Sequence, residues 1–249
     1  MSERIALSST GPSRRSCARE RGQERRDPLY SGTWRCRLHT LTPLSIRSLF
    51  ERLSANDYTA FVPGTSVRGM VRNVVEIVGN GCALVGCSEA AACLACRTFG
   101  FVAGNFVWQS KVRFSDSDPA VTIWARYEVS VPPAEQSQGD GRIVFPVEPC
   151  DLWAGPVPFV PAGVSFVFTV DYLNLDAEEY SVFKYALTLE DGGEQLCHML
   201  GFGKSLGFGA CTVTILEDKS PPIGPEFDLH RSRESFQRFR KLRQRSRLA

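Results

Sequence analysis

Histidine is scarce in this chain, three residues in 249, and the wide separation of His39, His198 and His230 offers no acid–base pair and no imidazole metal site. Bond cleavage here would have to run through a carboxylate holding a divalent ion. Also missing is any run of about 20 apolar residues or an apolar stretch ahead of a cleavage site, so no membrane span or export is expected and the protein is placed in the cytoplasm. The glycine patterns of Walker and dinucleotide loops are absent too. The one glycine-rich stretch, Gly201-Phe-Gly-Lys204-Ser205-Leu-Gly207-Phe-Gly209, precedes a strand rather than a helix, which disfavours nucleotide binding. What remains is a chain of 43% apolar and 22% charged residues, enough to bury the core of one elaborated domain.

A net charge of +2 hides a polarity. Residues 1–29 hold seven Lys/Arg against four Asp/Glu and residues 231–247 hold eight against one, which leaves 14 against 22 between them. An acidic body with basic ends suits a polyanionic partner, and also suits ends that only aid solubility. Three regions follow: a flexible basic leader over 1–29, a body over 30–220, and a basic C-terminal tail over 221–249.

Within the body, Thr33 to Thr40 alternates, with Trp34, Cys36 and Leu38 on one side and Arg35, Arg37 and His39 on the other, and predicts a strand with a basic outer face. A polar loop from Ser45 to Ala60 carries Arg47, Glu51, Arg52 and Asp57. Next comes Phe61 to Gly79. Pro63-Gly64 makes a turn, Thr65 or Ser66 suits an N-cap, and Val67, Met70, Val71, Val74, Val75 and Val78 recur on one helix face. Arg68 and Arg72 stand one turn apart on the opposite face, beside a helix N-terminus that favours an anion.

Cys82-x4-Cys87-x5-Cys93-x2-Cys96 places four of the nine cysteines in a short stretch of small residues. Four soft ligands joined by tight turns are what a closed structural Zn²⁺ site needs; small buried thiols in a packing segment are the other reading. Val107 to Ser115 and Val121 to Val129 predict a hairpin turned at Asp116 to Pro119. Ser130 to Pro161, rich in proline, reads as a long functional excursion. Val164 to Tyr172 is a core strand, Asp176-Ala-Glu-Glu179 opens a second helix that ends at Asp191-Gly-Gly193, and Cys211, Val213 and Ile215 mark a last strand. In the glycine loop, Gly203 permits close backbone approach to a phosphodiester while Lys204 and Ser205 add a charge and a hydroxyl.

Strand, helix, strands, helix, strand is the order of a ferredoxin-like or RRM-like α+β core. Ser31-Gly-Thr, Leu41-Thr-Pro-Leu44, Val62-Pro-Gly-Thr-Ser-Val-Arg-Gly69, Cys96-Arg-Thr-Phe-Gly100, Lys111-Val-Arg-Phe-Ser-Asp116 and the Gly201–Gly209 loop occur in that sequence. As an ordered set they resemble the CRISPR RAMP superfamily, most closely the backbone subunits of type III and related effectors. The resemblance implies a modified RRM core stacked in a filament of copies along a guide RNA, with other effector subunits and a complementary target RNA as partners. It implies guide contacts from Gly64, Thr65, Ser66, Arg68, Arg72, Arg47, Gly203, Lys204 and Ser205, an inserted zinc loop at 81–97 and a thumb-like hairpin in 130–161. Cleaving members carry an aspartate after the first strand. Asp57 is the aspartate available there, so the alternative is a Mg²⁺-dependent endoribonuclease; Ile46-Arg47 replaces the family's usual Ile-Gly, which favours the binding role.

Overall fold

The structure is a computed structural model that describes residues 3–5, 29–46, 50–52, 58–79, 81–82, 87–88, 91–118, 120–122, 125–127, 142–145, 157–218 and 234–245. Its centre is a five-stranded antiparallel sheet. The strands are β1 (Tyr30–Thr40), β2 (Val112–Phe114), β3 (Ser165–Leu175), β4 (His198–Met199) and β5 (Ala210–Asp218), lying in the order β4-β5-β1-β3-β2. The alternation in β1 fixes the register: Trp34 faces Val170, Cys36 faces Phe168 and Leu38 faces Phe166, so a single apolar face forms across β1 and β3. Slipping one residue would turn all of these side chains to the solvent.

Two helices cover that face. The 3.6-residue periodicity of Val67, Met70, Val71, Val74, Val75 and Val78 produces α1 (Gly64–Val78), and all six side chains are buried. In α3 (Ala177–Thr188) the Asp176 carboxylate accepts from the Glu179 N–H while Glu179 reaches back to the Asp176 N–H, a complete capping box. Tyr180 and Phe183 of α3 meet Trp34 at ring-centroid distances of 5.4 and 5.5 Å. Each such large side chain taken out of water contributes roughly 1.5–3 kcal/mol. On the other side of the sheet Arg35, Arg37, Arg113 and Thr169 are exposed.

Several local expectations are corrected. Val107–Ser115 and Val121–Val129 do not form one hairpin. Phe106–Trp108 folds back on Phe101–Ala103, Val112–Phe114 joins β3 as the sheet edge, and Ala120–Thr122 pairs with Tyr58–Ala60. The cause is Asp116-Ser117, which turns aside to bond Gly64 and Val62 at the start of α1 before Asp118 N–H returns to the Val167 carbonyl of β3. Asp191-Gly-Gly193 does not end the second helix either. Leu189 closes it in the left-handed region, and Gly192-Gly193 turn a short hairpin of Glu190–Asp191 with Glu194–Gln195.

Both chain ends take part in the fold. From the leader, Glu3–Ile5 pairs antiparallel with Arg142–Val144 of the 130–161 excursion. In the tail, α4 (Glu234–Arg243) buries Phe236, Phe239 and Leu242, and its Arg243 carbonyl accepts from the Cys197 N–H at 2.9 Å. Three apolar residues at i, i+3 and i+6 suffice to seat a helix face however basic its remainder is.

Candidate nucleic-acid interface and cysteine centre

The glycine loop spans β4 to β5 and is seated on the Leu41–Ser45 segment. Phe202 N–H donates to the Ser45 carbonyl and Gly209 N–H to the Pro43 carbonyl at 2.8 and 2.9 Å, while the Thr42 hydroxyl donates to the Gly207 carbonyl and accepts from Ala210 N–H. Two motifs about 160 residues apart therefore form one ledge. Gly201 and Gly209 have φ of +81° and +80° and lie against the backbone of Ser45 and Leu200, leaving no room for a Cβ. On the ledge Ser205 is exposed, and Lys204 donates from Nζ to the Gly201 carbonyl at 2.6 Å with Phe145 at 5.8 Å. Burial lowers the Lys204 ammonium, and the Arg243 charge adds to that. Phe208 packs against Phe159 with ring centroids 4.5 Å apart, tying the loop to the far end of the excursion.

The mouth of α1 is built differently. Pro63 is the N-cap, and Thr65 and Ser66 sit inside the first turn, so neither is the predicted cap. The Asp116 carboxylate accepts from Gly64 N–H at 2.7 Å, and Ser66 N–H is taken up by the Pro63 carbonyl. A carboxylate thus already occupies the position an anion would seek. Gly64 is buried, and a Cβ there would lie 2.6 Å from the Ser115 carbonyl oxygen; its smallness serves the packing of α1 against β2. Thr65 is exposed.

Arg68 and Arg72 turn toward α2 (Leu94–Phe99). Arg68 donates to the Phe99 carbonyl and lies over the Phe99 ring at 5.6 Å. Arg72 commits all three guanidinium nitrogens: Nε to Glu76 at 3.0 Å, Nη1 to the Gly100 carbonyl at 3.1 Å, and Nη2 to Cys96 Sγ at 3.7 Å. The two arginines together clamp the carbonyls at the end of α2.

Beside that clamp the sulfurs of Cys82, Cys87, Cys93 and Cys96 all lie within 4.8 Å of one another, with Cys82 and Cys96 3.6 Å apart. A disulfide would need about 2.05 Å, whereas a tetrahedral ion with bonds of about 2.3 Å implies sulfurs about 3.8 Å apart. The set fits a divalent metal. Cys93 N–H also donates to Cys87 Sγ at 3.3 Å. Hydrogen bonds among the sulfurs push the Cys93 thiol far down and Cys82 up to about 12. Among the described residues this is the one group of metal-ligating side chains brought together.

Next to it, Arg97 anchors α2 on the start of α3, with Nη1 3.1 Å from Asp176 and Nη2 3.2 Å from Glu178, while Lys111 meets Glu179 at 2.6 Å. Burial works against the Arg97 charge, but Glu179, Asp176 and Glu178 outweigh it and its pKa is raised. The Cys96-Arg-Thr-Phe-Gly100 and Lys111 to Asp116 motifs are thereby joined to the capping box. Arg47 and Asp57, and most of the 130–161 excursion read as a thumb, lie outside the described residues. No helix among the described residues is long and apolar enough to cross a membrane. Sequence spacing missed the role of Asp116 as cap and the docked α4; the Phe236-x2-Phe239-x2-Leu242 spacing was the available signal for the latter.

No curated protein matches this chain. Among solved structures, a chain of a type IV-B CRISPR complex is similar with a TM-score of 0.50 at 15% identity, over 80% of this chain and 96% of that one. The crystal structure of Thermofilum pendens Csc2 is similar with a TM-score of 0.43 at 13% identity, over 87% and 72% respectively. At such identities the likeness concerns the fold. The family model of the RAMP superfamily matches residues 37–212, from the middle of β1 through the glycine loop into β5, and on that span the chain belongs to the RAMP superfamily.

Proposed function

We propose that this chain is a guide-RNA-binding backbone subunit of a multi-subunit CRISPR effector, of type III or a related kind, in which guide pairing recognises a complementary target RNA. The observation that carries the reading is the ledge: a glycine loop held by the Leu41–Ser45 backbone, offering Lys204 and Ser205 at its rim. Rigid backbone with one cation and one hydroxyl suits a phosphodiester and reads no base, which leaves sequence recognition to the guide. The core beneath supports a ferredoxin-like, modified RRM reading, since β5-β1-β3-β2 is the strand order of that fold with β4 added at its edge.

In this reading Gly203, Lys204 and Ser205 meet the guide backbone together with Thr65, Ser66 and Arg47. Arg68 joins them through the guanidinium nitrogens it does not spend on Phe99, while Gly64 and Arg72 act from within the fold. Copies of the chain follow one another along the guide, beside other effector subunits. The four cysteines hold a structural Zn²⁺, the ion that a closed tetrathiolate set favours. The test is the nucleic acid that copurifies when the chain is expressed with its effector partners and a guide array. Short RNA with a uniform 5′ end and variable interior is the expected result; purification free of RNA at low salt overturns the reading.

A further inference from the structure

Arg72 lies on the helix expected to meet RNA, yet each of its three guanidinium nitrogens already donates to a partner within the fold. We propose that Arg72 is the outer-sphere partner of a divalent metal held by Cys82, Cys87, Cys93 and Cys96, and that it locks α1 to the metal loop. The inference rests on reading the four cysteines as metal ligands.

A divalent ion with four thiolates leaves two negative charges uncompensated. Cys93 and Cys96 are buried and Cys82 and Cys87 half-buried, so water screens that charge poorly and a cation or N–H donor must offset it. Cys93 N–H supplies one donor, to Cys87. Among the described residues, Arg72 is the cation within hydrogen-bonding distance of a cluster sulfur, 3.7 Å from Cys96 Sγ. Its other nitrogens fix its position. Glu76, 2% exposed and one turn further along α1, takes Nε, and the carbonyl of Gly100, immediately after α2, takes Nη1.

The planar fork is needed for this. A guanidinium can serve a carboxylate, a carbonyl and a sulfur at once in fixed directions, whereas an ammonium at the end of a flexible stem keeps the charge without that geometry. Arg72 is thus a positioning residue. It orients Cys96 and carries the state of the metal loop directly to α1, whose opposite face forms the core under the sheet. Partners of this kind typically change metal affinity by about 10–100-fold when removed.

The test uses the full chain, stripped of metal under reducing conditions and titrated with Co²⁺, then with Zn²⁺ in competition against a chromophoric chelator. Wild type is expected to bind one ion per chain with sulfur-to-cobalt charge-transfer absorption and tetrahedral visible bands. Arg72→Ala should keep these bands but bind about 10–100-fold more weakly, and Arg72→Lys should fall between them. Should Arg72→Ala fail to fold, Arg72→Lys and Arg72→Gln carry the comparison. Equal metal affinity in wild type and variants overturns the inference, as does a loss of RNA affinity at unchanged metal affinity. A wild type that takes up no Co²⁺ overturns the metal reading itself, which the spectrum distinguishes from the first outcome.

Discussion

The mouth of α1 and the glycine loop look alike in sequence, each a glycine-containing turn with a hydroxyl and a cation at hand, but the structure uses them in different ways. At α1 the turn is closed by the Asp116 carboxylate, Gly64 faces the Ser115 carbonyl, and the two arginines point to the carbonyls closing α2. At the glycine loop the glycines are spent on docking to Ser45 and Leu200, while Ser205 stays exposed. A cation next to a glycine is therefore weak evidence for a phosphate site; what decides is how far the fold has already committed the cation, and Lys204, with one bond to the Gly201 carbonyl, is committed less than Arg72 with three. At the α1 end Gly64 and Arg72 are committed to a structural junction, whereas at the glycine loop Ser205 stands exposed on the rim.

The largest effect should come from the junction. Cys93→Ser, or chelation of the wild type, is expected to destabilise the fold by about 4 kcal/mol or more, the range in which loss of a structural metal falls. Denaturation with and without chelator measures it. A wild type indifferent to chelator would remove the metal from the junction and leave the cysteines as packing.

A second prediction sets a pH dependence on the other side. His198, just before the glycine loop, is buried, and desolvation lowers its pKa from 6.5 to about 3 against the opposing pull of the Leu187 carbonyl. Since a carbonyl only accepts, the Nε2 that lies 3.0 Å from Leu187 O carries the proton of a neutral ring. Above pH 6.5 neither folded nor unfolded chain is protonated at this ring. Below it the unfolded chain takes up a proton that the folded chain refuses, so stability falls as pH drops toward 3, by up to about 1.4 kcal/mol per pH unit. Urea denaturation at successive pH values, set against His198→Gln, isolates this slope; equal slopes in both proteins would count against a neutral buried ring.

Much of the fold was legible because it rests on local periodicity. β1, β3, β5, α1 and the start of α3 each carry their pattern within one stretch. The end of α3 was not, because a left-handed Leu189 closes the helix before the glycine pair that looked like its stop. Phe101 to Phe114 holds no proline and one glycine, and the tight Gly104-Asn105 turn folds its first part into a hairpin while Gln109 to Lys111 separates that hairpin from the edge strand. α4 was hidden by charge, since a stretch so rich in arginine reads as solvated until the spacing of its two phenylalanines is counted. The partners that decide the site were beyond local reading altogether: Asp116 lies 52 residues from Gly64, and the Phe99 carbonyl 31 residues from Arg68. The four cysteines were the exception, because tight spacing within one loop leaves little freedom over where the sulfurs meet.

Gly64→Ala tests the junction at smaller scale. If Gly64 serves packing, the added methyl must push α1 off the Ser115 carbonyl, at a cost of about 1–3 kcal/mol, the usual range for overpacking. RNA affinity of the folded protein should not change. Reduced affinity at unchanged stability would return Gly64 to the guide and make the two turns equivalent after all.

The smallest expected effects are the most discriminating, because they carry opposite signs. Lys204→Ala removes a cation from the rim and should weaken RNA binding about equally for all sequences, lowering the slope of log affinity against log salt by about 0.7, the share of one single-strand phosphate contact. Asp116→Asn removes a negative charge from the α1 mouth and exchanges a charged acceptor for a neutral one. Stability should fall by about 1 kcal/mol or less, since the amide oxygen can still cap Gly64. The helix N-terminus loses the anion that competes with phosphate, so RNA affinity should rise modestly, and most at low salt, where screening is weakest. Fluorescence anisotropy with a short labelled RNA over a salt series measures both variants. Loss in the first with gain in the second keeps the rim open and the junction closed; a loss of affinity in Asp116→Asn at full stability would mean that the α1 mouth already holds the guide with its carboxylate in place.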